Sequence, residues 1–458
     1  MKTFPAFIFC ILLSPAWSNA PDPALTKDFW NHPQFVESFM GNYGFRSEIE
    51  PRITKSEQFL LKEVVAKREN QLEEAIVYLE NKMDGKESAA IDFALATMYY
   101  EIGRLTRSAQ TYEQALEKFP SFLRARKNLG FVYLSLGRID EAAKSLSKAI
   151  SLGENDGVTY VALGYCLLSQ ERYVSAENAY RMGILLFPDS KDARNGLVNC
   201  LLSTERYPEA LALLNEILEK EPENVFCHQA RASALQGMDR QKDAAVALET
   251  LKRMGKLKPS GYLVLGDLYH NLGLFGPSLL TYEQAIAQRE KLSLSRYVRV
   301  ARILIGRGSY ADGFSYLRKI DEVFGQSYSS EDRKDVLLLK AEVLLATGKK
   351  ETAMELLGEI VETNPLEGKA LILMGQNAWE KEEFVQASLY FSRAAKTEQW
   401  KVKALIEHAR MLVSTREYEE AIRLLKEAQT INPQPRVGRY LESIQTLVIS
   451  SRLQPQGT

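Results

Sequence analysis

The chain has 458 residues, 45% of them hydrophobic and 26% charged, with 58 basic against 59 acidic side chains. That composition belongs to an ordinary folded chain and excludes a low-complexity or disordered protein. The near-zero charge balance leaves no electrostatic footprint for nucleic acid or an anionic membrane surface as partner.

In chain order, residues 1–20 come first and stand apart. Lys2 precedes an apolar run over 4–13, bracketed by Pro5 and Pro15, and Ser18-Asn19-Ala20 closes it. A basic start, a short apolar core and a small-x-small ending predict a cleaved secretory signal peptide. The run is too short to span a bilayer. Cys10 follows Phe9, whereas a lipid-modified cysteine would want a small residue there. Export predicts a periplasmic location, and the absence of any Asn-x-Ser/Thr sequon fits a bacterial envelope.

Residues 21–55 form an extension rich in aromatics: Phe29, Trp30, Phe35, Phe39, Tyr43 and Phe45. So many large rings do not suit a disordered linker. They read either as a lid packed on the first helices or as an arm that docks on a partner or a second copy. Residues 56–88 read as a degenerate helix pair, with Ala75 and Leu79 near the register of a repeat.

A 34-residue beat then begins. Leu95, Tyr99, Gly103, Tyr112, Ala115 and Pro120 are followed one step later by Leu129-Gly130, Tyr133, Gly137, Ala142 and Ala149. Leu163-Gly164, Ala176, Tyr180 and Pro188 come next, then Leu197, Ala210, Leu214 and Pro222. A weaker unit carries Ala232, Leu235, Ala244 and Leu248, and a strong one carries Leu265-Gly266, Tyr269, Gly273, Tyr282 and Ala285. These six units, 89–292, start at residues 89, 123, 157, 191, 225 and 259. Residues 293–333 break the register with a poorer unit around Gly308, Tyr316 and Leu317. Three units over 334–435 resume it, and 436–453 reads as a capping helix, apolar at Leu441, Ile444, Leu447 and Val448. Small residues let helices approach closely, glycines at the Gly137 type of position reverse the chain, and prolines end the second helices.

This period and these residue types resemble the tetratricopeptide repeat. The resemblance implies an all-α fold: a right-handed superhelical α-solenoid of about ten helix pairs with a concave groove. It also implies that the first helices line that groove. Carried onto this chain, the groove positions are Phe93, Thr97 and Tyr100, then Arg124, Lys127 and Phe131, then Val161 and Tyr165, then Asn195 and Asn199. Leu134, Val158, Leu168, Asp192 and Leu202 share those positions, and Leu134 and Leu168 also suit packing between helices. Aromatics as anchors, amides for backbone hydrogen bonds and two cations suit a peptide. The two-carboxylate clamp of some cytosolic relatives is not reproduced, because Phe131 and Ala162 stand where it needs asparagines.

No signature of catalysis or metal binding occurs. His32, His228, His270 and His408 are far apart, and no Cys-x-x-Cys, His-Glu-x-x-His, Gly-x-Ser-x-Gly or phosphate-loop motif is present. Cys166, Cys200 and Cys227, an odd number after signal removal, read as buried small hydrophobes. The expectation is a non-enzymatic, cofactor-free scaffold with a protein or peptide partner. A self-assembling scaffold that uses the arm is the alternative, and an enzyme with an unrecognised site a remote third. The opening Phe29-Trp30, Phe35-Val36-Glu37-Ser38-Phe39-Met40, Tyr43-Gly44-Phe45-Arg46 and Glu50-Pro51 looks like that of secreted repeat proteins of the TonB system. That likeness implies a role in TonB-dependent transport across the outer membrane.

Overall fold

The computed structural model describes residues 25–40, 48–68, 71–288 and 294–453. The signal peptide read at 1–20 lies outside them, as do Tyr43 and Phe45 of the extension. Among the described residues the regular structure is entirely helical. The chain divides into two compact units, Met1–Leu257 and Lys258–Thr458.

The first unit opens with two short helices, α1 (Lys27–Asn31) and α2 (Pro33–Met40). Six antiparallel pairs follow: α3 (Lys55–Arg68) with α4 (Leu72–Lys82), α5 (Ala89–Glu101) with α6 (Leu105–Lys118), and α7 (Leu123–Ser135) with α8 (Ile139–Ser151). Then come α9 (Gly157–Ser169) with α10 (Tyr173–Leu186), α11 (Lys191–Ser203) with α12 (Tyr207–Lys220), and α13 (Val225–Gly237) with α14 (Gln241–Arg253). Each helix packs on its pair mate and on the next pair, and α9 also meets α11, as α11 meets α13. The stack is therefore a solenoid in which each pair buries its apolar surface on its neighbours. First helices such as α5, α7 and α9 are buried on nearly every side, while second helices such as α6 and α8 keep a polar face in solvent.

Two local devices hold the pairs. The first is the turn between mates. Gly103 and Gly137 sit at φ +73° and +72°, and the amides of Arg104 and Arg138 reach back to the carbonyls of Tyr99 and Tyr133, both at 2.8 Å. This is a Schellman closure, which needs a left-handed residue. At the next three turns that residue is Glu171, Glu205 or Asp239, at φ +58°, +58° and +54°. The second device is a small residue under a large ring. A Cβ on Gly164 would lie 2.9 Å from the Tyr180 ring, and one on Gly196 would lie 2.1 Å from it. Tyr180 thus fills the space between α9 and α11 only because both helices present bare backbone.

Glu57 is one of the groups that tie the degenerate first pair to α5, with the Arg68–Glu101 ion pair at 2.8 Å. Glu57 accepts from the Thr54 amide at 2.7 Å and hydroxyl at 2.9 Å, and from the Ser88 amide, just ahead of α5, at 2.6 Å.

The second unit comprises α15 (Pro259–Asn271) with α16 (Phe275–Ala287), α17 (Leu294–Gly306) with α18 (Tyr310–Phe324), α19 (Ser330–Ala346) with α20 (Lys350–Thr363), α21 (Gly368–Glu380) with α22 (Phe384–Ala394), α23 (Glu398–Ser414) with α24 (Tyr418–Ile431), and a closing α25 (Pro435–Leu453). The same small-under-large contact recurs, with a Gly266 Cβ 2.4 Å from Tyr282 and a Gly375 Cβ 2.7 Å from Phe391. The break in the beat is a helix pair followed by a single 3-10 turn, Gly325–Ser327. Tyr328 donates to Asp321 at 2.9 Å, Lys340 pairs with the same carboxylate, and Ser329 with Asp332 forms a capping box that starts α19.

Candidate functional site: a helical face covered by the N-terminal segment

The face formed by α5, α7, α9 and α11 carries residues 25–40 of the same chain. The segment runs antiparallel to the order of the repeats. At its start, the Thr26 amide and hydroxyl both donate to the Asp192 carboxylate, each at 3.1 Å, at the head of α11. The His32 ring lies 4.7 Å from that of Phe187, in the loop before α11. Farther along, Phe35 meets Phe131 of α7 edge-on at 5.2 Å, and Phe39 lies on Tyr100 of α5 at 4.3 Å. Phe29, Phe35 and Phe39 are each less than 5% exposed.

Polar groups fix the register. Lys127 Nζ lies 3.1 Å from both Glu154 and Asp156; the lysine is buried and the two carboxylates are half-buried. Ser38 Oγ enters this cluster, accepting from Lys127 at 3.0 Å and donating to Asp156 at 2.8 Å. Burial pushes the Asp156 carboxyl up, but Lys127 and the Thr159 amide outweigh it and hold it below its ordinary value. Burial wins at Glu154, whose carboxyl is raised despite Lys127. Asn128 Nδ2 donates to the Phe39 carbonyl at 3.0 Å, receiving the last turn of α2. Residues 48 and 49 are held as well: the Ser121 hydroxyl donates to the Glu48 carbonyl at 2.9 Å and the Leu123 amide to that of Ile49 at 3.1 Å.

Of the groove positions read from the sequence, Tyr100, Lys127, Phe131 and Asp192 touch the segment, and Leu134 and Tyr165 line what remains open beside it. That remainder is a cleft of about 700 Å³, walled by Trp30, Val36 and Phe39 on one side and Tyr100, Leu134 and Tyr165 on the other. Phe93 is buried, with the Arg124 guanidinium 5.1 Å from its ring centre. Thr97 turns between the mates and bonds the Tyr112 hydroxyl at 2.7 Å. Val161 packs where a Gly183 side chain would be, a Cβ there lying 2.8 Å from it. On α11, Asn195 is half-buried and Asn199 buried. Asp156, Glu154 and Asn128 escaped the groove reading. The sequence signal for Asn128 is weak: it is the lone amide side chain of α7, directly after Arg126 and Lys127.

Cys166, Cys200 and Cys227 are buried free thiols, each pushed up to about 12 chiefly by burial. Among the described residues no group of three or more His, Cys, Asp or Glu is placed to hold a metal ion. No described helix is long and apolar enough to cross a membrane.

Two tetratricopeptide-repeat family models match the chain, at residues 93–157 and 167–237. No curated protein matches it. Among solved structures, a tetratricopeptide repeat protein from Parabacteroides merdae aligns at 16% identity over 53% of this chain and 96% of its own, with a TM-score of 0.37. YrrB, a repeat protein with an unusual peptide-binding site, aligns at 23% identity over 39% of this chain and 90% of its own, with a TM-score of 0.35. The P58(IPK) repeat domain aligns at 17% identity over 80% of this chain and 99% of its own, with a TM-score of 0.25. The chain is thus an all-α solenoid in which residues 93–157 and 167–237 match the tetratricopeptide repeat, and its N-terminal segment lies on the face formed by α5, α7, α9 and α11.

Proposed function

We propose that this protein is a non-catalytic adaptor of the bacterial envelope that grips a protein segment on the face formed by α5, α7, α9 and α11. The observation that carries the reading is the segment already there. Apolar rings, a half-buried ion cluster and an amide donor together hold a stretch of peptide, in a face lined as peptide-binding grooves are. The envelope location rests on the signal-like 1–20, and the link to TonB-dependent transport on the resemblance of the aromatic opening. Tyr165 at the cleft is the place to test it. A photoreactive residue there, in the full chain incubated with envelope extract, is expected to capture one defined protein, of the TonB system on the finer reading. Capture of partners by the protein with no adduct at position 165 would remove the concave face as the binding site.

A further inference from the structure

We infer that the partner segment recognised by this face is an amphipathic helix with two aromatic residues four apart and a hydroxyl residue directly before the second. Residues 25–40 are its internal competitor. This rests on the adaptor reading above.

Helix α2 has only eight residues. Isolated helices shorter than about 12–15 residues are marginal in water, so the contacts beneath α2 sustain its helical form. The face therefore selects a helix. Phe35 and Phe39 lie on one side of it, as residues four apart do, and are 4% and 2% exposed against Phe131 and Tyr100. Val36, 48% exposed, borders the open cleft beside them.

Ser38 sets the polar requirement. The half-buried cluster it enters has one cation, Lys127, and two carboxylates, Glu154 and Asp156. A hydroxyl satisfies both signs, accepting from Lys127 and donating to Asp156. A carboxylate or a phosphate at that place would add negative charge beside two half-buried carboxylates that share one cation, and is disfavoured. Asn128 receives the carbonyl of the second aromatic at 3.0 Å, and Asp192 receives an amide and a hydroxyl at the far end. Direction is thereby fixed: the bound segment starts at α11 and ends between α7 and α5.

The competitor is tethered. A short linker gives a local concentration on the order of millimolar, so an external helix of the same pattern must outcompete it.

The test uses the full chain and a fluorescent synthetic peptide with the sequence of residues 25–40. Phe35→Ala with Phe39→Ala in the protein is expected to raise the affinity for this peptide at least ten-fold over the unaltered chain. Ser38→Asp in the protein, which leaves the repeats untouched, is expected to do the same, so a folding defect in the double variant does not decide the matter. A peptide carrying both alanines, or aspartate in place of Ser38, is expected not to bind. Equal peptide affinity for all three proteins, or binding of the altered peptides as tightly as the parent, overturns the inference. A dimeric mass by light scattering that becomes monomeric in the double variant overturns it too, because the segment would then seat in a second copy. The adaptor reading fails separately. If the peptide obeys the rule but no external protein is captured at Tyr165, the face serves its own segment alone. If a protein is captured there and the peptide does not displace it, the recognition rule is wrong and the adaptor stands.

Discussion

The Phe39 and Tyr100 rings pack at a tilt, ring centres 4.3 Å apart and planes inclined by 32°, and this contact joins the N-terminal segment to α5. Few of the groove residues are consequently open to solvent.

Because the segment is short and peripheral, Phe39→Ala should release it without unfolding the solenoid. Removing a buried Phe costs about 3–5 kcal/mol in a core that cannot relax. Here the loss is capped by the docking energy of the segment. The expected outcome is loss of amide protection in α2 by ten-fold or more, with the protection of α7 and α9 and the melting temperature nearly unchanged. Hydrogen exchange read by mass spectrometry checks it.

Tyr180 constrains both helices beside it. Gly196→Ala should destabilise the first unit by about 1–3 kcal/mol, the usual cost of overpacking, since the new methyl would lie 2.1 Å from the tyrosine ring. Gly276→Ala is the matching control: its Cβ meets nothing within 4 Å, in helix α16. It should be neutral or stabilising by up to about 1 kcal/mol. Thermal melts of the two variants should move in opposite directions.

Glu171 and Glu205 occupy left-handed turns, at φ +58° in both, where neighbouring repeats use glycine. A side chain there costs about 1–2 kcal/mol, and glycine returns part of that as unfolded-state entropy. Glu171→Gly with Glu205→Gly should therefore stabilise the chain by about 1 kcal/mol in sum, and Gly137→Ala should destabilise it by a similar amount. Urea titration reads both.

Glu50 links the docked segment to pH. Burial pushes its carboxyl up to about 7, against the pull of Arg124 and Lys127, and one of its oxygens has no hydrogen-bond partner among the described residues. A folded value above the unfolded one means that the folded chain binds more protons between the two. Stability then falls as pH rises from about 4.5 to about 7, and the cost is complete above that. Protection of the Leu123 amide, which donates to Ile49 beside it, should be greater at about pH 5.5 than at about pH 8 after correction for intrinsic exchange. Glu50→Gln should abolish the difference. An unchanged difference in that variant would assign the pH dependence to another group.

Cys166, Cys200 and Cys227 should be inert to a thiol reagent in the native protein and react fully after unfolding, because burial disfavours the thiolate. Rapid labelling of any of them in the native state would contradict their burial.

How much was legible in the sequence depends on the physical content of each signal. Gly164 and Tyr180, or Gly266 and Tyr282, repeat at fixed spacing because one helix can approach another only where a side chain is missing, so the helix pairs show in the residues. Left-handed Glu171 and Glu205 do not show, since nothing in a glutamate announces positive φ; only the register of Gly103 and Gly137 points to them. The aromatics of the N-terminal segment advertise burial but not the surface that buries them. Lys127 and Phe131 therefore read as an open lining, whereas the structure covers both. Thr97 and Val161 share the groove register yet turn inward, because Tyr112 and the bare backbone at Gly183 offer them closer partners.

The central claim is that residues 25–40 and an external partner compete for one face. Thr26→Cys with Asp192→Cys tests it most directly, since these positions already hydrogen-bond and the native thiols are buried. Oxidation should lock the segment down and abolish capture of a partner at Tyr165, and reduction of the same sample should restore it. Equal capture by the oxidised and reduced forms would show that the partner binds elsewhere.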